Sequence, residues 1–286
     1  MSEIRGKLCI VTGANSGIGK ETALGLARNE ANLVMVVRNQ ERGNRARNEI
    51  ASQSGNNSID LMVCDLSSME SIRRFIQEFK AKYGRLDVLI NNAGAVFYKR
   101  QVTDEGYERT LAVDYLAPFL LTNGLLTLLK SSAPSRIVNV SSGLYTRGKI
   151  DFDDLQSEKK YAGMKAYSNA KLMILMFTYE LAERLRNDGV TVNAVLPGFV
   201  ATNLGKSSGS RSQAFMFGLM RPFQISAQKA AETLLYLASS KDVEGVTGKC
   251  FSKKKQVPTS QASHDEAKWK ILWTATTKLL SISDQE

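Results

Sequence analysis

Leu8-Cys9-Ile10-Val11-Thr12-Gly13-Ala14-Asn15-Ser16-Gly17-Ile18-Gly19-Lys20-Glu21-Thr22-Ala23-Leu24 orders the rest of this 286-residue sequence. Leu8 to Val11 is a short, uninterrupted apolar run with two β-branched members, the pattern of a strand covered on both faces. Three glycines then punctuate a turn, and a helical pattern begins at Lys20. In such a strand, turn and helix the glycines let the backbone bend tightly. The free N–H groups and dipole at the helix start favour an anion such as a pyrophosphate. The spacing is G-x-x-x-G-x-G rather than G-x-G-x-x-G, so the turn alone reads equally well as a plain βα connection.

Working outward, the same unit recurs. Apolar runs follow at Leu33 to Val37, Leu61 to Val63, Asp87 to Ile90, Ile137 to Val140 and Val190 to Val195. Between them lie periodic segments near 17–29, 41–53, 68–82, 104–130 and 162–187, each long enough for a crossover helix. The pattern predicts an α/β fold, a Rossmann-type doubly wound parallel sheet flanked by helices, in a single domain over 1–286. A (β/α)8 barrel wants eight repeats where six are clear. A last segment, 263–282, carries Trp269, Ile271, Leu272, Trp273, Leu279 and Leu280 and reads as a C-terminal helix. Ser263 and Glu266 have capping-box spacing, which places His264 in an exposed first turn.

Composition removes whole classes of chemistry. With 43% hydrophobic residues the chain can fill a sizeable core, which excludes wholesale disorder. Cys9, Cys64 and Cys250 are far apart and form no C-x-x-C, so neither a disulfide framework nor a metal site is expected, and the compartment is a reducing one. His264 is the single histidine, which removes a Ser-His-Asp triad and a His-based zinc site. Acid-base chemistry must use another group. The net charge of +10 is spread along the chain, with only Lys253-Lys254-Lys255 forming a run, so it reads as solvated surface and not as a nucleic-acid interface. No stretch reaches about 18 uninterrupted apolar residues, and Met1-Ser2-Glu3-Ile4-Arg5 lacks a signal-peptide run. A cytoplasmic protein is expected.

Val37-Arg38-Asn39 ends the second strand, where an NAD site usually carries Asp or Glu on the ribose 2′-hydroxyl. Arg38 would pair with a 2′-phosphate through a planar, charge-assisted fork, pointing to NADP(H) as the cofactor. The competing reading is a solvated arginine at a strand end.

Downstream, Asn91-Asn92-Ala93-Gly94 follows the fourth strand and Asn139-Val140-Ser141-Ser142 ends the fifth. Tyr167-Ser168-Asn169-Ala170-Lys171 opens a long helix, and Pro197-Gly198 follows the sixth strand. In this order the motifs resemble the short-chain dehydrogenase/reductase family over nearly the whole chain. Leu116-Ala117-Pro118-Phe119-Leu120-Leu121-Thr122, the spacing from Ser142 to Tyr167, and Gly248-Lys249-Cys250-Phe251-Ser252 look most like its retinol dehydrogenase branch, which is typically NADP-dependent. The resemblance implies cofactor contacts at Gly13, Asn15, Ser16, Gly17, Ile18, Gly19, Asp65, Leu66, Asn92, Ala93, Gly94, Tyr167, Lys171, Pro197, Gly198, Val200 and Thr202, besides Arg38. It implies a catalytic set of Ser142, Tyr167, Lys171 and Asp114.

Tyr167 and Lys171 are i and i+4, so on a helix their side chains share a face. A free phenol titrates near 10, and bringing it near 7 takes roughly 4 kcal/mol. A positive charge at about 4 Å supplies energy of that order at an intermediate dielectric. Lys171 is that charge. Ser142 would hold the substrate oxygen while Tyr167 passes a proton and the cofactor a hydride, interconverting a carbonyl and an alcohol. Tyr161-Ala162-Gly163-Met164-Lys165 is a second Y-x-x-x-K, but Gly163 interrupts it and the amphipathic run continues from Tyr167. Strand alternation gives only one of Ser141 and Ser142 to the cofactor side, and the family pattern selects Ser142, leaving Ser141 to bond locally.

One position departs from the family. Asp114 stands where an Asn usually completes the tetrad, largely through its backbone carbonyl, and its carboxylate can pair with Lys171 and offset the activating charge. A weakly catalytic dinucleotide-binding sensor or scaffold is therefore the alternative to an active enzyme. The segment 199–225, with Phe215, Met216, Phe217, Leu219 and Met220, reads as a substrate lid suited to a lipophilic carbonyl, such as a retinoid, and to peripheral membrane contact. The sequence shows no counterpart of that branch's N-terminal membrane anchor. By the resemblance, the helices near 104–130 and 162–187 would offer a homodimer surface.

Overall fold

The protein is described by a computed structural model over residues 4–200 and 225–282. Its opening strand β1 (Leu8–Thr12) is buried along its whole length. Leu8 and Ile10 join one apolar core and Cys9 and Val11 the other, the two-sided burial that an unbroken apolar run demands. Around it stand β2 (Asn32–Val37), β3 (Ile59–Val63), β4 (Val88–Asn91), β5 (Ser135–Val140), β6 (Val190–Val195), β7 (Lys249–Ser252) and β8 (Lys255–Gln256). They form one sheet in the order β3-β2-β1-β4-β5-β6-β7-β8. All pairings are parallel except β7 with β8. The order reverses between β1 and β4, which opens a crevice at their carboxyl ends.

Helices α1 (Gly17–Arg28), α2 (Gln40–Ser54) and α6 (Ala227–Ser239) cover one face of the sheet. Helices α3 (Met69–Lys82), α4 (Arg109–Ser131), α5 (Gly163–Arg184) and α7 (Glu266–Leu280) cover the other. Among the described residues α4 is the one helix long and apolar enough to cross a membrane by length and composition, and 78% of its apolar window is buried within the protein. Near its start the turn Ala112–Leu116 is π-helical, an interruption that recurs at functional sites.

The structure departs from the sequence reading in several places. Helix α6 and strands β7 and β8 add to the expected elements, and α4 starts at Arg109 because Val102 and Glu108 pair as an isolated β-bridge before it. Lys253 and Lys254 form the tight turn between β7 and β8, with φ of 50° and 61°. This puts the lysine run at a sheet edge, where charge blunts edge-to-edge pairing. Asp265, not Ser263, caps α7, accepting the Lys268 N–H at 3.2 Å. Ser263 is buried and turns its hydroxyl to the Ser260 carbonyl at 2.6 Å. His264 belongs to a short 3-10 turn, Gln261–His264, and stacks on Tyr179 at 4.7 Å.

Helix α7 lies on α4 and α5, over the surfaces the family resemblance associates with dimers. Trp273 packs edge-on to Phe119 at 4.8 Å and beside Phe177 at 6.0 Å, with the Arg184 guanidinium 4.0 Å from its ring centre. Tyr115 and Thr276 join their hydroxyls at 2.8 Å. Removing an indole from this packing leaves a cavity, so Trp273→Ala should cost about 3–5 kcal/mol in urea unfolding.

At the opposite end of the sheet from the crevice, Asp87 binds β1 to β4. It accepts Leu8 N–H at 2.8 Å, two bonds from Arg85 at 2.6 and 2.9 Å, and the Lys7 ammonium at 3.1 Å. Burial alone would raise its titration, but these donors outweigh it and hold the carboxyl below its ordinary value. A depressed native value stabilises the fold above the ordinary carboxylate range, and the stabilisation is lost as pH falls through that native value. Asp87→Asn should therefore cost about 1–3 kcal/mol at neutral pH. Urea midpoints between neutral and acid pH should also fall less steeply in the variant than in the parent protein.

Candidate functional site

The glycine turn sits at the β1 side of the crevice. Gly13 and Gly17 have φ of 67° and 54°, the left-handed region that glycine adopts without strain. A methyl added to Gly19 would stand 2.4 Å from the Gly13 carbonyl oxygen and 2.5 Å from Asn92 Nδ2, so the backbone passes too closely for any side chain. Ser16 precedes α1 without a side-chain cap, and no acidic residue lies in the first turn. The N–H groups there stay free for an anion, as a dinucleotide pyrophosphate requires. The residues present thus fit such a cofactor.

Thr12 ties this turn to the loop after β4. Its hydroxyl accepts the N–H of Asn92 at 2.9 Å and of Ala93 at 3.0 Å, and the Asn92 side-chain amide donates to the Thr12 carbonyl at 2.8 Å. Gly13, Gly19, Asn92, Ala93 and Gly94 are therefore brought together as expected. Beneath them Asn91 donates to Thr122 at 3.0 Å and Asn139 at 2.8 Å, and Asn139 donates to Thr178 at 3.0 Å. This buried ladder joins α4, β4, β5 and α5, the elements that carry or adjoin Asp114, Ser142, Tyr167 and Lys171.

Tyr167 and Lys171, both nearly buried, project from the first turns of α5 toward the carboxyl end of β5. The ammonium lies 5.5 Å from the Tyr167 ring centre. It donates to the Val140 carbonyl at 3.2 Å and pairs with Asp114 Oδ1 at 2.9 Å. Burial disfavours the ammonium, yet the Asp114 carboxylate holds Lys171 above the ordinary lysine range. Burial raises Asp114 in turn, opposed by the Lys171 charge and the Ala95 N–H. At Tyr167 burial raises the phenol, Lys171 lowers it, Asp114 raises it again, and a hydrogen bond with Ser142 lowers it, with a net upward result.

Ser142 follows the end of β5 and its side chain meets that of Tyr167. Ser141 does not bond locally: its hydroxyl donates to the Lys171 carbonyl at 2.8 Å, so it fastens α5 to β5. Tyr161 lies outside α5, its hydroxyl donating to the Phe97 carbonyl at 2.6 Å beside Glu108 and Thr110. Burial pushes it up to about 12. The three cysteines are buried and free, and burial pushes Cys64 and Cys250 up to about 12, leaving them unionised at neutral pH.

The remaining expected positions are distributed along the crevice. Arg38 is exposed at the end of β2, and Asn39 caps α2 by accepting the Arg42 N–H at 2.9 Å. Asp65 accepts the N–H and hydroxyl of Ser67 at 2.9 and 2.7 Å, and Leu66 packs against the core. After β6 and Pro197, Gly198 has φ of 85°, and Val200 bridges to Ile225. Thr202 and nearly all of the 199–225 segment lie outside the described residues. Sequence reasoning missed Thr12, Ser141, Ala95 and the Val140 carbonyl as members of the site. Thr12 and Ser141 had a signal, a hydroxyl beside a motif at the last position of β1 and directly after β5; the two backbone groups had none.

Two cavities, of about 590 and 270 Å³, lie at the opposite, amino-terminal end of the strands, the first lined by Asn32, Asp60 and Tyr83 among others, the second by Asp87, Arg136 and Thr191. Neither contains the residues above.

Known proteins place the chain. The family described as short chain dehydrogenase matches residues 7–213. Retinol dehydrogenase 13 of Mus musculus is 40% identical over 285 residues, covering 98% of this chain and 85% of that protein. Retinol dehydrogenase 14 of Mus musculus is 41% identical, covering 98% and 87%. The crystal structure of an uncharacterized protein from Mycobacterium Paratuberculosis superposes with a TM-score of 0.80 at 28% identity, covering 99% of this chain and 96% of that one. A blue fluorescent protein from a metagenomic library, in complex with NADPH, gives 0.69 at 26%, covering 87% and 97%. The chain belongs to the short-chain dehydrogenase family, in its retinol dehydrogenase-like branch, an oxidoreductase of alcohol and carbonyl groups.

Proposed function

We propose that this protein is an NADP(H)-dependent oxidoreductase that interconverts a lipophilic aldehyde or ketone, of the retinal and retinol kind, with its alcohol. The observation that carries the reading is the meeting of Ser142, Tyr167 and Lys171 at the carboxyl end of β5, beside a glycine turn with free helix N–H groups. The identity with retinol dehydrogenases supports the substrate class. Arg38 at the end of β2 supports NADP(H), as does the NADPH complex of a structural relative.

A bound nicotinamide supplies or accepts the hydride. Ser142 holds the substrate oxygen by a hydrogen bond. In reduction the Tyr167 hydroxyl donates its proton to that oxygen as negative charge develops there; in oxidation the phenolate withdraws it. Lys171 would stabilise the phenolate, and its remaining N–H would be available to hold the ribose of a bound cofactor. Val140 and Ser141 hold the lysine and its helix in place.

Tyr167→Phe should lower kcat by at least a hundredfold in NADPH-dependent reduction of a retinoid or aliphatic aldehyde, because the proton donor is gone. NADPH binding, followed by its fluorescence, should persist. Tyr161→Phe should leave turnover within a few-fold of the parent; the opposite ranking would move the acid-base role to Tyr161. Absence of turnover in the folded parent protein would favour the sensor reading.

Arg38→Ala should reduce the preference for NADPH over NADH about tenfold or more, the loss of one charge-assisted fork. The measurement is kcat/KM with each cofactor, and an unchanged ratio would remove Arg38 from the phosphate site.

A further inference from the structure

Lys171 is held by partners that fix both its place and its charge. Of the three N–H donors of an ammonium, one is directed to Asp114 and one to the Val140 carbonyl, leaving one for a further acceptor. Asp114 is fully buried and also accepts the Ala95 N–H, at 3.2 Å from Oδ2 and 3.3 Å from Oδ1. A methyl added to Gly94 would stand 2.6 Å from Asp114 Oδ1 and 3.3 Å from Lys171 Nζ, so the loop after β4 closes directly over the pair. The π-helical turn of α4 carries Asp114.

A carboxylate and an amine that share one proton have no net charge, wherever that proton sits. Tyr167 therefore faces a neutral pair rather than an isolated cation. The groups around it are Lys171 on its own helix, Asp114 on α4 and the Ser142 hydroxyl at the end of β5. Glu108 is a second acidic group that acts on Asp114. Each charge on this list other than Lys171 is negative and disfavours a phenolate.

We propose that Asp114 is a positioning residue that fixes Lys171 and neutralises it, so that Tyr167 keeps its proton to alkaline pH and serves as a proton donor across the neutral range. This rests on the reading of Tyr167 as the acid-base group. Carbonyl reduction, which uses the phenol, then holds its rate to alkaline pH, and alcohol oxidation, which uses the phenolate, rises only there. An Asn at this position can still accept from the ammonium, but brings no opposing charge.

Two measurements test this. The first is the ultraviolet phenolate titration of the cofactor-free protein, with the matching Tyr167→Phe protein subtracted to isolate one tyrosine. In the parent protein the Tyr167 phenolate should form only above about pH 10, and in Asp114→Asn at lower pH. A parent phenolate that forms below about pH 9, or the same titration in both proteins, would overturn the proposal. The parent result stands even where Asp114→Asn does not fold. The second is kcat/KM for alcohol oxidation against pH. In Asp114→Asn the rising limb should move to lower pH and the rate at neutral pH should increase about threefold or more. A uniform fall with an unmoved limb would show a merely structural role and overturn the proposal. Absence of turnover in the parent protein would sink the oxidoreductase reading alone, since the titration needs no turnover.

Discussion

The ammonium of Lys171, 3% exposed, is the constraint around which this end of the molecule is arranged. A buried charge is tolerated only when paired and hydrogen-bonded. Satisfying it requires a carboxylate from α4, a carbonyl from β5 and a helix start placed so that both are in reach. Ser141 completes the arrangement by bonding the lysine's own backbone carbonyl, and the asparagine and threonine ladder fixes α4 and α5 to the same two strands. The local chemistry of one side chain thus sets the relative positions of two helices and two strands.

The second requirement is that the glycine turn and the side chains of Asp114, Tyr167 and Lys171 meet. They arise from different βα units, and the reversal of strand order between β1 and β4 makes them neighbours. Thr12 converts that neighbourhood into contact. Its hydroxyl accepts two N–H groups of the loop after β4, whose Gly94 and Ala95 lie against the Asp114–Lys171 pair. The glycine turn and Lys171 are thus linked by a short chain of contacts through Thr12, Ala93, Gly94 and Asp114.

How much of this could be read from the sequence depended on the kind of signal. Strands β1 to β6 were legible because each contains a short apolar run, the composition that burial on both faces of a sheet favours. Strands β7 and β8 were not, because both are short and Lys249, Lys255 and the turn lysines Lys253 and Lys254 break up their apolar pattern. Helix α6 was missed although Ser226 caps it and Ala230, Ala231, Leu234, Leu237 and Ala238 recur on one face. The cap of α7 was misjudged because Ser263 matched a capping-box spacing, while the adjacent Asp265 satisfied the same helix end with a carboxylate. In the site, spacing alone paired Tyr167 with Lys171 and resemblance suggested an Asp114 contact, but the carbonyl of Val140 and the N–H of Ala95 have no sequence signature at all.

Asp87 and Asp114 show why such a site cannot be inferred from burial alone. Both are carboxylates almost without solvent exposure, both touch lysine, and both accept a backbone N–H. Asp87 has two cations and lies at the sheet end away from the crevice; its titration is driven down, and its negative charge is a fixed part of the fold. Asp114 has one cation and burial prevails, so its titration is driven up. A carboxylate with cations to spare is a staple, because nothing in its surroundings gains from its protonation. One paired with a single lysine leaves no charge over, so a third titrating group beside it meets a neutral pair, and in this fold the third group is the phenol of Tyr167. The same residue type, equally buried, is thus pushed in opposite directions by the number of cations it meets.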